Sequence, residues 1–262
     1  MAGNNKGIIM QDRDRESLRE IAVMRVADRE QVKCGGGFGS TTRVNTRLLA
    51  LTRAGLLRRF FLGTTASGRK ALYSLSKRGA ELVGVPYRGL RRGTDETVVA
   101  DFFVAHQLSI NEIYCTVKHR PIPIAGVQYV QWKSFYESVD DIIPLIPDGY
   151  AELRTPSRKL AAFLEVDLGN ESRSVWREKV QSYIRYAVSG NFERQFGHAQ
   201  FRVLVVANSE RRLASLRTAT AEITDKIFWF ASFESITKFG FWSPVWNRPK
   251  DHNLQPLIGD LT

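Results

Sequence analysis

Leu160-Ala-Ala-Phe-Leu-Glu-Val-Asp-Leu168 is the stretch on which the fold turns. Every position in it is apolar except Glu165 and Asp167. A run this short and this apolar reads as a central β-strand, because a strand covered on both faces loses the polar alternation of an edge. Side chains two apart on a strand share a face, ~7 Å apart at the backbone. Glu165 and Asp167 therefore project together, and charges on a mostly buried strand need a partner or a metal.

Working outward, Asn170 or Ser172 caps a helix running to about Ser189, where Gly190 stops it. Phe201–Ala207 reads as a buried strand, Glu210–Glu222 as a helix and Ile227–Phe233 as a last strand. Upstream, Val127–Phe135 and Leu145–Leu153 alternate like neighbouring strands. Before them Asp95–Lys118 has helical periodicity, with Val98, Phe102, Ala105, Leu108, Ile110 and Ile113 expected in the core. The order is α-β-β-β-α-β, an α/β (α+β) arrangement with a mixed central sheet over 95–262. From Ser243 onward the Pro-rich polar tail reads as irregular.

Pro86–Gly93, with its glycines and arginines, reads as a linker over 86–94, which leaves 1–85 as a separate domain. Ser17–Arg29 is helical in spacing, and a glycine-rich break follows at Gly35–Gly39. Ser40 or Thr41 then caps a helix to about Ala54, with Val44, Leu48 and Leu51 on one stripe and Gly55 ending it. Leu56–Leu62 and Ala71–Leu75 are strand-like, joined by the polar turn Gly63–Lys70, and Ser76 caps a short helix, Lys77–Val83. That succession is the order of a winged helix-turn-helix.

Charge separates the two parts. Residues 1–93 hold 19 basic and 7 acidic side chains, a net of +12, while 94–262 hold 19 and 20, a net of −1. A domain so basic attracts polyanions, because each phosphate contact releases condensed counterions. On the Ser40–Ala54 helix, the face away from the apolar stripe carries Thr42, Arg43, Thr46 and Arg47, placed to reach base edges or phosphates in a major groove. Arg69 and Lys70 sit at the wing, where a backbone or minor groove would pass. The expected partner is double-stranded DNA.

An apolar fraction of 43% excludes a disordered chain. Cys34 and Cys115 stand alone, which excludes a disulfide scaffold or zinc ribbon and fits a reducing cytoplasm. The polar start, Met1 to Arg15, lacks a signal-peptide core, and no apolar run approaches the ~18 residues of a membrane span. A nucleotide-driven motor is excluded by the lack of a GxxxxGK[ST] loop. His106, His119, His198 and His252 are too far apart for a His-hydrophobe-His metal site.

Pro147-Asp148-Gly149 falls within the second expected strand, so Asp148 can join Glu165 and Asp167 from the neighbouring strand. Three carboxylates around one point repel unless a cation sits between them, and Mg²⁺ or Mn²⁺ suits such hard oxygen ligands. Lys179 on the following helix could hold a scissile phosphate or polarise a water, or could be a surface lysine paired with Glu178 or Glu171. Gln181 and Tyr186, farther along, could touch a DNA backbone or simply pack.

With these residues in place, the chain resembles the restriction-endonuclease-like (PD-(D/E)xK) nucleases. Coupled to a winged helix, it resembles the replication-relaxation family and the MobC-type plasmid mobilisation relaxases. The phrases that carry the likeness are IPDGY, FLEVDLGNES, WREKVQSYIRY and HQLSINEIY. The resemblance implies a divalent ion held by Asp148, Glu165 and Asp167, and site-specific nicking of one strand at a plasmid or mobile-element origin. Accessory or coupling proteins of a relaxosome are the implied partners. The lysine usual two residues after the Glu is Asp167 here, so Lys179 takes that role. His106 and Asn111 fall in a family-like phrase, and Glu112 could extend the acidic cluster. Tyr183 and Tyr186 leave a tyrosine nucleophile open. The competing reading is a non-catalytic winged-helix regulator or replication initiator with a degenerate nuclease-like domain.

Overall fold

A computed structural model describes residues 8–63, 68–90, 97–98 and 101–259, with side chains undescribed at 97–98. The tip of the expected polar turn (64–67), the end of the expected linker (91–94) and parts of the next helix's start (95–96 and 99–100) lie outside the described residues. The chain divides into two compact units, Met1–Cys115 and Thr116–Thr262.

In the first unit, α1 (Asp12–Met24) is followed by β1 (Ala27–Asp28), α2 (Arg29–Gly35), α3 (Thr41–Arg53), the hairpin β2 (Leu57–Gly63) and β3 (Arg69–Leu75), and α4 (Lys77–Val83). β4 (Thr97–Val98) and α5 (Phe102–Lys118) come next. The small sheet has the order β1-β3-β2-β4. Local chemistry explains the boundaries. Ser40 caps α3 by accepting from the Arg43 N–H at 3.3 Å, and Gly55 ends it at φ +70°. Ser76 caps α4 by accepting from the Gly79 N–H at 2.9 Å. Val44, Leu48 and Leu51 are buried along one stripe of α3, as their spacing predicts.

The first unit runs on to Cys115, where the sequence reading placed a boundary at 86–94. Polar contacts from α5 account for this. Asn111 donates to the Val26 carbonyl at 2.6 Å, Tyr114 donates to Glu20 at 2.7 Å, and Gln31 donates to the Leu108 carbonyl at 2.8 Å. Ile110 and Ile113 are buried as expected, whereas Phe102 at the start of the helix is 67% exposed. Glu112 is half-buried in this helix, within the first unit.

Arg47 departs from its expected role. Its guanidinium grips the Asp14 carboxylate of α1 through two arms and donates to the Ile9 carbonyl at 2.6 Å. Asp14 is fully buried, so Arg47 is its counter-charge and ties α3 to α1. Removing one partner leaves an uncompensated buried charge. Arg47→Ala is expected to destabilise the protein by about 2 kcal/mol or more, read as a lowered urea midpoint with an unchanged slope. A variant as stable as wild type would return Arg47 to the DNA-facing surface.

In the second unit, β5 (Gln128–Lys133), β6 (Gly149–Arg154), β7 (Lys159–Asp167), β8 (Arg202–Ala207) and β9 (Phe228–Ser232) form one sheet in that order. β5, β6 and β7 pair antiparallel, and β7, β8 and β9 pair parallel. α6 (Arg173–Val188) and α7 (Asn191–Phe196) separate β7 from β8, α8 (Glu210–Ala221) precedes β9, and α9 (Phe233–Phe239) follows it. Ser172 caps α6, accepting from the Val175 N–H, and Gly190 ends it at φ +74°. The mixed sheet expected from the element order is present.

β7 is central, and its two faces are both covered. On one face Phe163 sits within a group of rings, 5.0–6.0 Å from those of Phe135, Tyr150, Phe192, Phe196 and Phe201. Trp176 of α6 is buried above the same face, its indole N–H satisfied by Thr220 at 3.0 Å. Glu165 and Asp167 follow Phe163 at two-residue steps, so they share this core-facing side. Among the described residues no helix is long and apolar enough to cross a membrane.

Candidate active site

Glu165 is 2% exposed and Asp167 5% exposed, so both carboxylates must be satisfied within the protein. Asp148 lies one residue before β6 rather than inside a strand, because the expected strand Leu145–Leu153 begins only at Gly149. Pro147 has no N–H for a ladder, and the Leu145 N–H is spent on the Ser138 hydroxyl at 3.0 Å. Asp148 is nonetheless anchored beside β7. Its N–H donates to the Leu164 carbonyl at 3.1 Å, and its carboxylate accepts from the Val166 N–H at 2.7 Å. The two bonds straddle Glu165. Gly149 has to be glycine, since a Cβ there would lie 2.4 Å from the Trp132 ring.

From α6, Lys179 donates to Glu165 at 2.9 Å and to Glu171 at 2.8 Å. Tyr183, one turn on, donates its hydroxyl to the other Glu165 oxygen at 2.5 Å. Burial pushes the Glu165 carboxyl up to about 7; the Lys179 charge pulls against this, and the neighbouring Asp148 adds to it. Burial disfavours the Lys179 ammonium, but Glu165, Glu171 and Asp148 outweigh it and hold its proton affinity above the ordinary lysine range. The Tyr183 hydroxyl is held well above its usual value by burial and then by Glu165. Asp148, Glu165 and Lys179 thus meet at one point.

Asp167 does not complete a three-carboxylate cluster. Arg212 of α8 binds it with two arms, at 2.6 and 2.7 Å, and reaches on to the Glu171 carbonyl at 2.7 Å. The Gly169 N–H also donates to it, at 2.7 Å. A bidentate guanidinium neutralises the carboxylate's charge and holds both of its oxygens, so Asp167 fastens the turn after β7 to α8. Among the described residues no three His, Cys, Asp or Glu side chains are grouped to hold a metal ion. The donor set present is two carboxylates, Asp148 and Glu165, with an ammonium already lodged against one of them. Mg²⁺ keeps several waters and uses one or two carboxylates beside phosphate oxygens, so this pair suits it where the triad does not.

Lys179 also lines a groove of about 460 Å³ with Pro144, Ile146, Gln181, Ser182 and Arg185. Gln181 is exposed at that groove. The ammonium side of the buried cluster is therefore reachable from solvent. Glu171 was one of the two partners the sequence offered for Lys179, whereas the Tyr183 bond to Glu165 and the Arg212 clamp on Asp167 were not expected. The four-residue step from Lys179 to Tyr183 on one helix face was the available signal for the Tyr183 bond.

On the basic unit, Thr42, Arg43 and Thr46 are exposed along α3, and Thr46 returns its hydroxyl to the Thr42 carbonyl at 3.0 Å. Arg43 and Arg69 are exposed and form no ion pair with a described residue. Lys70 is 46% exposed and pairs with Asp28. Five of the six expected contacts are thus exposed, whereas Arg47 is half-buried and committed to Asp14.

A family model described as replication-relaxation matches residues 18–200, well over half of the chain. The chain belongs to the replication-relaxation family. Membership points to a role in plasmid or mobile-element replication or transfer. The segment shared with the replication-relaxation family holds Asp148, Glu165, Asp167 and Lys179, and it ends before β8. No curated protein and no solved structure matches the chain.

Proposed function

We propose that this replication-relaxation protein is a metal-dependent DNA endonuclease that nicks one strand at a plasmid or mobile-element origin. The observation that carries the reading is the meeting of Asp148, Glu165 and Lys179 at one buried point beside an open groove. Two acids and a lysine beside a mixed sheet are what a restriction-endonuclease-like fold brings together. The first unit, with three helices, a hairpin and a closing helix, reads as a winged helix that docks duplex DNA through Thr42, Arg43, Thr46, Arg69 and Lys70.

In this mechanism Asp148 and Glu165 would hold Mg²⁺ or Mn²⁺. Such an ion polarises a phosphoryl oxygen and lowers the pKa of a bound water. The protein's own part is positional. Asp148 is kept beside Glu165 by the Val166 N–H, and Tyr183 fixes one Glu165 oxygen so that the other is left for Lys179. Lys179 retains Glu171 as a second anchor and, on leaving Glu165, can present its ammonium to a phosphate in the groove. A cationic donor aimed at developing charge in a water-poor site contributes strongly to rate.

The test is conversion of supercoiled plasmid carrying the DNA that flanks this protein's own reading frame, with Mn²⁺. Wild type is expected to yield open circles, and Asp148→Asn under one hundredth of that rate. Equal conversion by both, or none by wild type where gel shift shows binding, would sink the reading. A second reading, a DNA-binding regulator or initiator, draws on the Lys179 ammonium lodged against Glu165 and on the Arg212 clamp on Asp167. It would give binding without cutting.

A further inference from the structure

The opposite face of the five-stranded sheet carries a second cluster of charge, built on arginines. Val203 and Val205 of β8 and Phe228 and Phe230 of β9 point into the core beside α6. Arg202 and Trp229 therefore turn to the other face. The Arg202 guanidinium lies 4.5 Å from the centre of the Trp229 ring, and Arg248 from the C-terminal tail lies 4.9 Å from it. Arg158 sits in the turn leading into β7. β7 runs parallel to β8 with Ala162 opposite Arg202, so Arg158 lies at the same end of the sheet. It is exposed, and its charge acts on Arg202 together with that of Arg248.

A single arginine stacked on a tryptophan is a common structural contact. Three guanidiniums drawn together are not, because like charges repel unless an anion separates them. None of Arg158, Arg202 and Arg248 forms an ion pair with a described residue. Burial, then repulsion from Arg158 and Arg248, lowers Arg202 to about 10. The donors are also under-used. Each guanidinium has five N–H groups. Arg202 gives one arm to the Leu257 carbonyl and Arg248 one arm to the Asp225 carbonyl at 2.9 Å, while the buried Arg248 Nε has no acceptor.

We propose that Arg158, Arg202 and Arg248 form a phosphate-binding site, and that its occupant is a backbone phosphate of DNA. Guanidinium forks match phosphate oxygens in shape as well as charge. The Trp229 ring is 6% exposed and has arginines against it, so it offers no face on which a base could stack. The site therefore recognises phosphate alone, which favours a nucleic-acid backbone over a nucleotide. Arg202, Trp229 and Arg248 lie beyond the 18–200 segment shared with the family. The site is also separate from the candidate active site, since Glu165 is on the other face of the sheet and Arg202 stands opposite Ala162, three residues, ~10 Å, along β7 from it.

The experiment uses the full chain in EDTA, so that cutting plays no part, and measures binding to a 30-bp duplex across a salt series. Arg158→Ala/Arg248→Ala is expected to make the slope of log affinity against log salt shallower by about 2, close to 0.9 for each lost phosphate contact. Arg158→Ala alone removes an exposed side chain with no ion pair to a described residue, and is expected to lose about half of that. Arg158→Lys should restore most of its share, as charge is retained. A parallel arm follows thermal melting with added inorganic phosphate against chloride at equal ionic strength. Phosphate protection that is lost in the double variant while the duplex slope is unchanged would overturn DNA as the occupant. Slopes and protection unchanged in folded variants would overturn the site altogether, leaving the arginines as supports for Trp229.

Discussion

Exchanging Glu165 for glutamine is expected to lower the nicking rate by about 10³-fold or more, while duplex binding in EDTA stays at the wild-type level. Glutamine has the same shape, so the Tyr183 hydroxyl keeps an acceptor, and Phe163 and the rings around it need not repack. What changes is charge. The carboxylate oxygen now facing Lys179 at 2.9 Å becomes an amide, and the pair with Asp148 loses half of its negative charge. Loss of one preorganised group in a dry site typically costs 10²–10³ in rate, and groups acting as a unit fail together. Adding Asp148→Asn to Glu165→Gln should therefore lower the rate little further. Plasmid nicking by the single and double variants measures this, and a Glu165→Gln rate within tenfold of wild type would remove Glu165 from the chemistry.

The second large effect is on stability against pH. Glu165 ionises near 7 in the folded protein, against 4.5 for an ordinary glutamate. Between those values the folded chain holds a proton that the unfolded chain has lost. Stability from this group is therefore fully present below pH 4.5, falls as pH rises, and is gone above about 7. At roughly 1.4 kcal/mol per pKa unit, wild type should lose about 3 kcal/mol relative to Glu165→Gln between pH 4.5 and 8. Lys179→Met should steepen the fall, because the ammonium is the largest influence holding the Glu165 value down against burial. Urea unfolding at both pH values gives the comparison. Parallel profiles for wild type and Glu165→Gln would mean that Glu165 is ionised throughout, as an ordinary surface carboxylate is.

Much of this was legible in the sequence because the informative patterns are local. Nine residues with only Glu165 and Asp167 polar identified the central strand, and Ser40, Ser76 and Ser172 marked helix starts through bonds spanning three residues. Lys179 could be set beside Glu165 because strand and helix are adjacent in the chain. What escaped were partners brought in from a distance. Arg212 is 45 positions from Asp167, and Asp14 is 33 from Arg47. No periodicity announces such pairs, so Asp167 was expected at a metal and Arg47 at DNA. The boundary at 86–94 failed for the same reason. Pro and Gly mark where a chain can bend, whereas the reach of a compact unit is set by bonds such as Asn111 to Val26, 85 residues apart. Arg158, Arg202 and Arg248 were likewise unremarkable one at a time.

The phenols near the site carry one more implication. Tyr183 is buried with its hydroxyl committed to Glu165, and Tyr186, pushed up to about 12 by burial and the charge of Asp140, donates to Gln195. A phenol must reach phosphorus to attack it, and the structure buries both of these completely. A DNA strand opened here by the proposed chemistry would then stay unattached to either tyrosine, its two ends free to swivel.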